Sequence, residues 1–132
     1  MIVDTSALIA ILRGESDAQI FAEALAAAPS SSISAGTLLE VSVVVDANRD
    51  PVLSRRLDDL VRAVPLVVEP VTAEHVEIAR QGYHDFGRGS QQPAQLNFGD
   101  CFAYALARSR GEPLLFKGND FGHTDIESQI QP

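Results

Sequence analysis

The sequence predicts an α/β fold: a mostly parallel central sheet of four to five strands flanked by helices, in one domain over residues 1–132. Two observations carry that expectation. Short runs rich in β-branched residues and leucine alternate with longer segments of helical periodicity, the pattern of strands joined by crossover helices. That alternation predicts a mostly parallel sheet covered on both faces. No internal repeat or low-complexity linker divides the 132 residues, a length at which one core buries about two thirds of the unfolded surface.

Taken in order, Ile2 and Val3 suit a short buried strand, and residues 6–12, rich in Ala and Leu, read as a helix. Asp4 therefore stands where a strand hands over to a helix. Residues 16–28 carry Ile20, Phe21, Leu25 and Ala28 at helical spacing, and Pro29 closes the segment. Ser31-Ser-Ile-Ser34 is the second strand. Residues 36–47, with Leu38, Leu39, Val41, Val43, Val44 and Val45, are too long for a strand and predict a buried helix. After the break at Asn48-Arg-Asp-Pro51, Pro51 suits the first turn of a helix running to about Val64. Its Arg55, Arg56 and Arg62, near Asp58 and Asp59, suggest a salt-bridged solvated face. Leu66-Val-Val-Glu69 is the third strand, ended by Pro70. Thr72 and Glu74 begin a helix through Val76, Ile78, Ala79 and Tyr83, followed by a polar, glycine-containing loop over residues 85–93. Asn97 suits the cap of a helix carrying Phe98, Phe102, Ala105 and Leu106, which Gly111 ends. Pro113-Leu-Leu-Phe116 is the fourth strand, residues 118–121 form a turn, and Ile126 is expected in a short fifth strand.

The net charge of −8, from 18 acidic against 10 basic residues, argues against a protein that holds nucleic acid by whole-body electrostatics, though not against one acting on it locally. The lone Cys101 excludes an intramolecular disulfide, fits a reducing compartment and reads as a small packed residue rather than a nucleophile. With no apolar run long enough for a bilayer and no basic leader, the expectation is a soluble cytoplasmic protein without membrane contact.

In a parallel sheet all strands end at one edge, where α/β proteins bind ligands. Asp4 ends the first strand, Glu40 lies one turn into the helix after the second, and Asp100 starts the helix leading into the fourth. Asp120 follows that fourth strand, so four acids are expected at one rim. Singly, each has an ordinary reading: Asp4 as a helix cap, Asp100 as an acid favouring the helix dipole, Asp120 as a turn residue. Glu40 and Asp100, however, interrupt largely apolar helix faces, where acids are uncommon unless paired or bound to metal. Two carboxylates 4 Å apart repel by roughly 4 kcal/mol at an effective dielectric of 20, so the set requires a cation. Oxygen donors suit Mg²⁺ or Mn²⁺, whereas one cysteine and the scattered His75, His84 and His123 disfavour zinc.

The stretches Ile2-Val-Asp-Thr-Ser-Ala-Leu8, Glu40 in its helix, residues 97–107 from Asn97-Phe-Gly-Asp100 onward, and Leu114-Leu-Phe-Lys-Gly-Asn-Asp-Phe121 resemble the PIN-domain nucleases, most closely the VapC-type toxins of bacterial toxin–antitoxin modules. The likeness covers essentially the whole chain. It implies a PIN-like fold, a Mg²⁺- or Mn²⁺-dependent endoribonuclease, a homodimer and inhibition by a cognate VapB-like antitoxin. It maps the acidic site onto Asp4, Glu40, Asp100 and Asp120, with Thr5 or Ser6 as a nearby hydroxyl contact and Asp125 as a substitute for Asp120. On the mechanism expected, Asp4 and Asp100 ligate the ion, Glu40 and Asp120 act through water or complete a second site, and water is the nucleophile. Arg88, with Gln91 and Gln92, and Lys117 are candidate RNA contacts.

Other chemistries fit less well. A haloacid-dehalogenase-like phosphatase requires a second Asp two residues after the first, where Ser6 stands, and a receiver domain requires an Asp after its third strand, where Glu69 stands. An RNA-processing nuclease without antitoxin and a non-catalytic protein-binding module remain as alternatives.

Overall fold

The computed structural model describes residues 1–130. Strands β1 (Ile2–Val3), β2 (Ser32–Ser34), β3 (Val67–Glu69) and β4 (Leu114–Leu115) form a parallel sheet in the order β3-β2-β1-β4. The register pairs Ile2 with Ser32 and Leu114, and Ser34 with Glu69. Helices α1 (Thr5–Leu12), α2 (Ala18–Ala27), α3 (Ala35–Asp46), α4 (Pro51–Ala63), α5 (Ala73–Phe86) and α6 (Phe98–Arg110) alternate with these strands, and a short 3-10 helix covers Phe121–His123. The fold is thus the α/β arrangement expected, with four strands among the described residues. The expected fifth is reduced to a single parallel bridge, and at Ser128 rather than Ile126: the Leu114 N–H donates to Glu127 O at 2.9 Å and the Gln129 N–H to Leu114 O at 2.9 Å.

Successive strand residues point to opposite faces, and the core divides accordingly. Ile2 and Leu114 pack with Leu96, Ala103, Tyr104, Leu106 and Phe121. Val3, Ile33 and Leu115 pack instead with Leu8, Phe21, Val41, Val45 and Leu57 from α1 to α4. Each fully buried leucine or isoleucine contributes roughly 1.5–3 kcal/mol relative to an exposed one, so these two clusters hold helices against both sides of the sheet.

Local chemistry sets the helix starts. Asp50 accepts the Val52 and Leu53 amides at 3.0 and 3.4 Å, with Pro51 in the first turn of α4. Thr72 accepts the His75 amide at the start of α5 at 3.1 Å. Helix α2 begins at Ala18, not Ser16.

Three expectations need correction. Helix α3 is not buried all round: Thr37, Val41 and Val45 are buried, while Leu39 and Val43 are 65% and 59% exposed. Its mean hydropathy concealed a two-sided helix whose valines sit on opposite faces. The sheet is also not covered at its β3 edge, where Val67 and Val68 are exposed. On α4, Arg55, Arg56, Arg62, Asp58 and Asp59 are exposed, and among the described residues they form no ion pairs. Solvation of long side chains suffices there. No helix among the described residues is long and apolar enough to cross a membrane.

Candidate active site

Asp4 is fixed from two sides. Its backbone N–H donates to Leu115 O on β4 at 3.0 Å, and its Oδ2 accepts the Ser6 N–H at 3.0 Å and the Ser6 Oγ–H at 2.6 Å. It therefore does cap α1, as its ordinary reading had it. Capping uses one oxygen only. The other, Oδ1, is buried and has no hydrogen-bond partner among the described residues. Burial pushes the carboxyl above its usual range, the Ser6 bonds oppose that rise, and the charge of Glu40 adds to it.

Glu40 reaches the same edge from α3, whose start is capped by Ser34 accepting the Gly36 amide at 3.2 Å. Its Oε1 accepts the Thr5 Oγ–H at 2.6 Å. Its other oxygen lies over Gly99, where an added Cβ would strike the carboxylate. Glycine at 99 thus lets the first turn of α6 close against Glu40. Of its helix-face neighbours Gly36, Thr37, Val43 and Val44, Thr37 is buried but both valines are exposed, so the apolar face expected around Glu40 is only partly there, and what holds Glu40 is Thr5 and the gap at Gly99.

Asp100 belongs to a reciprocal cap: Asn97 accepts the Asp100 N–H at 3.0 Å and Asp100 Oδ2 accepts the Asn97 N–H at 2.9 Å. Burial pushes its carboxyl up to about 6, the Asn97 amide opposes this, and the charges of Asp4, Asp120 and Glu40 raise it further. Asp100 therefore feels the charge of the three other acids. Asp120 is exposed at the mouth, after a turn at Gly118 whose φ of +105° favours glycine. Asp125 lies elsewhere, accepting the Tyr104 hydroxyl at 2.9 Å and pairing with Arg108 Nε at 3.1 Å.

Among the described residues neither basic candidate forms an ion pair with the four acids. Lys117 Nζ bonds Glu15 at 2.6 Å and Asp17 at 3.0 Å, and those bonds raise its pKa. Arg88 is exposed on its loop. The backbone N–H of Lys117 has a different part, donating to Ser6 Oγ at 2.9 Å. Sequence reasoning missed this amide because backbone donors leave no residue-type signal. The closeness of Gly99 to Glu40 was missed too, although a glycine beside an acid at a helix start hints at a close approach.

Among the described residues, none of the four acids takes part in an ion pair and no three acidic, histidine or cysteine side chains form a ready-made metal cage. A buried carboxylate oxygen without a donor, beside further uncompensated acids, fits a hard cation held by few protein ligands, as Mg²⁺ commonly is with water completing its shell.

The chain matches the family described as PIN domain over residues 1–127. It is 59% identical over 130 residues to Ribonuclease VapC28 of Mycobacterium tuberculosis, covering 98% of each chain. Among solved structures it is similar in fold to VapC20 of Mycobacterium tuberculosis, described as a Sarcin-Ricin loop cleaving toxin, with a TM-score of 0.75, 19% identity and coverage of 99% of this chain and 98% of the other. A toxin–antitoxin complex from Klebsiella pneumoniae shares the fold with a TM-score of 0.70, 18% identity and the same coverage. With the acids of β1, α3, α6 and the β4 loop gathered at the edge where such a fold binds its ligands, the chain belongs to the PIN-domain family, among its VapC ribonucleases.

Proposed function

We propose that the protein is a metal-dependent endoribonuclease and the toxin of a VapBC-type module, with Asp4 and Asp100 as ligands for Mg²⁺ or Mn²⁺. The observation that carries this reading is the buried, unpartnered Oδ1 of Asp4 among acids that no protein cation neutralises among the described residues. A bound divalent ion would supply an acidified water and offset charge at the scissile phosphate.

The chain's own residues do the remaining work. Ser6 holds Oδ2 of Asp4, so that Oδ1 is the oxygen left for a ligand. The Asn97 amide holds one oxygen of Asp100 in the same way. Glu40, with Oε1 engaged by Thr5 and Oε2 lying over Gly99, is placed to accept a proton from the attacking water. Asp120, exposed at the rim, acts through water. The water oxygen bonds to phosphorus as the bond to the 3′ oxygen breaks, and that oxygen takes up a proton, giving 5′-phosphate and 3′-hydroxyl ends. No ribose 2′-hydroxyl need attack.

The names of the relatives support RNA as substrate, and the toxin–antitoxin complex sharing the fold supports a VapB-like antitoxin as partner. A homodimer, which the family resemblance implies, has apolar surface available to it on α3, α5 and α6, where Leu39, Val76 and the 78%-exposed Phe98 face outward. The test is expression of the chain with and without Asp4→Asn, mapping 5′ ends across cellular RNA. New ends confined to the unchanged protein support the nuclease; identical ends from both would remove it, leaving the protein-binding reading.

A further inference from the structure

We propose that Lys117 is a positioning residue for Asp4 and not an RNA contact. The inference rests on the nuclease reading of the same site and adds a residue to it. Lys117 ends the run after β4, and Gly118 turns the chain immediately behind it. Its ammonium bridges Glu15 and Asp17 in the connection between α1 and α2, while its own backbone N–H donates to Ser6 Oγ, which donates in turn to Asp4 Oδ2. Two carboxylates on one lysine fix the position of residue 117 relative to α1. With that residue fixed, the Ser6 hydroxyl has its acceptor side occupied by the Lys117 amide and its proton committed to Asp4. The carboxylate is then oriented with Oδ2 satisfied and Oδ1 without a partner among the described residues. The same bridge anchors the segment that leads to Asp120.

The ion pair is partly exposed, the three side chains being 31–35% accessible, so its own contribution to stability is small. Its consequence is orientation, and groups that orient metal ligands typically change metal affinity or activity by roughly 10- to 100-fold when removed.

The test compares Lys117→Met, Lys117→Arg and the Glu15→Gln/Asp17→Asn double variant with the unchanged chain. Three readouts are taken: Mn²⁺ affinity by calorimetry, hydrogen exchange of the residue 117 amide, and kcat and KM on a cleaved RNA. Positioning predicts that Lys117→Met and the double variant each weaken Mn²⁺ binding roughly 10- to 100-fold, speed exchange of that amide and lower kcat with KM unchanged. Their combination should be no worse than either, and Lys117→Arg should recover most of the loss. An RNA-contact lysine predicts the reverse: Lys117→Met raises KM with Mn²⁺ binding and amide exchange unchanged, and the double variant, by freeing the ammonium, lowers KM. That pattern would overturn the proposal. The double variant alters a different element, so loss of fold in Lys117→Met leaves the test standing. Absence of RNA cleavage by the unchanged chain would count against the nuclease reading, while the amide exchange still reads the bridge.

Discussion

The two ends of α6 treat carboxylates in opposite ways. At its C-terminal end three acids have a cation: Arg108 pairs with Asp125 at 3.1 Å, Arg110 with Glu69 at 3.0 Å and Glu112 at 3.5 Å, and the Met1 ammonium with Glu112 at 3.3 Å. At its N-terminal end Asp100 meets Asp4, Glu40 and Asp120, and among the described residues no ion pair involves any of them. Both ends follow the helix dipole, which favours acids at the start and bases at the end. The dipole alone cannot stabilise several acids, however, since its reach is one turn and its effect about 0.3–1 kcal/mol. One end thus pairs its acids with arginines and the Met1 ammonium, while the other gathers four acids that no cation of the chain pairs among the described residues.

The most severe way to break this contrast is Asp4→Asn. The amide oxygen retains a cap for α1 while the ligand charge is lost, so RNA cleavage in Mg²⁺ should fall at least on the order of 100-fold. Without metal, the variant should melt above the unchanged chain, since a buried charge has gone. A drop in both activity and metal-free melting temperature would mean that the cap, and not the charge, was what mattered.

A smaller loss is expected from Gly99→Ala, whose Cβ would meet the end of the Glu40 side chain. Displacing Glu40 from Thr5 should reduce kcat roughly 10- to 100-fold, with stability little changed because Ala otherwise favours the helix by about 0.5–1 kcal/mol. Wild-type kcat would remove Glu40 from the reaction.

Acid should separate activity from stability. With Asp100 pushed up to about 6, protons compete with the cation below that pH, so Mg²⁺ affinity and cleavage should fall as pH drops through about 6, and ion binding near pH 6 should release protons to the buffer. The stability contribution runs the other way. The folded chain binds this proton more tightly than the unfolded one, whose value is 3.8, so the metal-free fold is stabilised as pH falls through about 6, with the gain complete below 3.8. Urea melts from pH 7 to 5 with and without Mg²⁺ test both signs.

The smallest effect belongs to the ion-paired end. Arg110→Met should lower stability by about 0.5–1 kcal/mol, read in a urea titration, and leave kcat and KM unchanged.

Much of this was legible in the chain itself. Asp4, Glu40, Asp100 and Asp120 were recognisable because a parallel sheet sends all its strand ends to one edge, so order alone brings separated acids near one another. Asn97 three residues before Asp100 announced a cap, and the reciprocal bonds are there. The further argument that Glu40 interrupts an apolar face held only in part, since Thr37 beside it is buried while Val43 and Val44 face solvent. Long apolar helices such as α3 do not declare which valines are buried, because hydropathy is a property of residues and exposure of neighbours. Lys117 and Arg88 were named as RNA contacts from charge and location, but where a lysine points depends on which acids fold beside it, here Glu15 and Asp17, about 100 positions away.

The sequence by itself determined the α/β alternation, the helix caps and the rim at which the acids gather, because each depends on local propensity or on strand polarity. Only the tertiary structure decided the strand order β3-β2-β1-β4, the burial of Asp4 Oδ1 without a partner among the described residues, the approach of Glu40 over Gly99 and the engagement of Lys117 with Glu15 and Asp17. Those depend on contacts between residues far apart in the chain, whose distances no periodicity encodes.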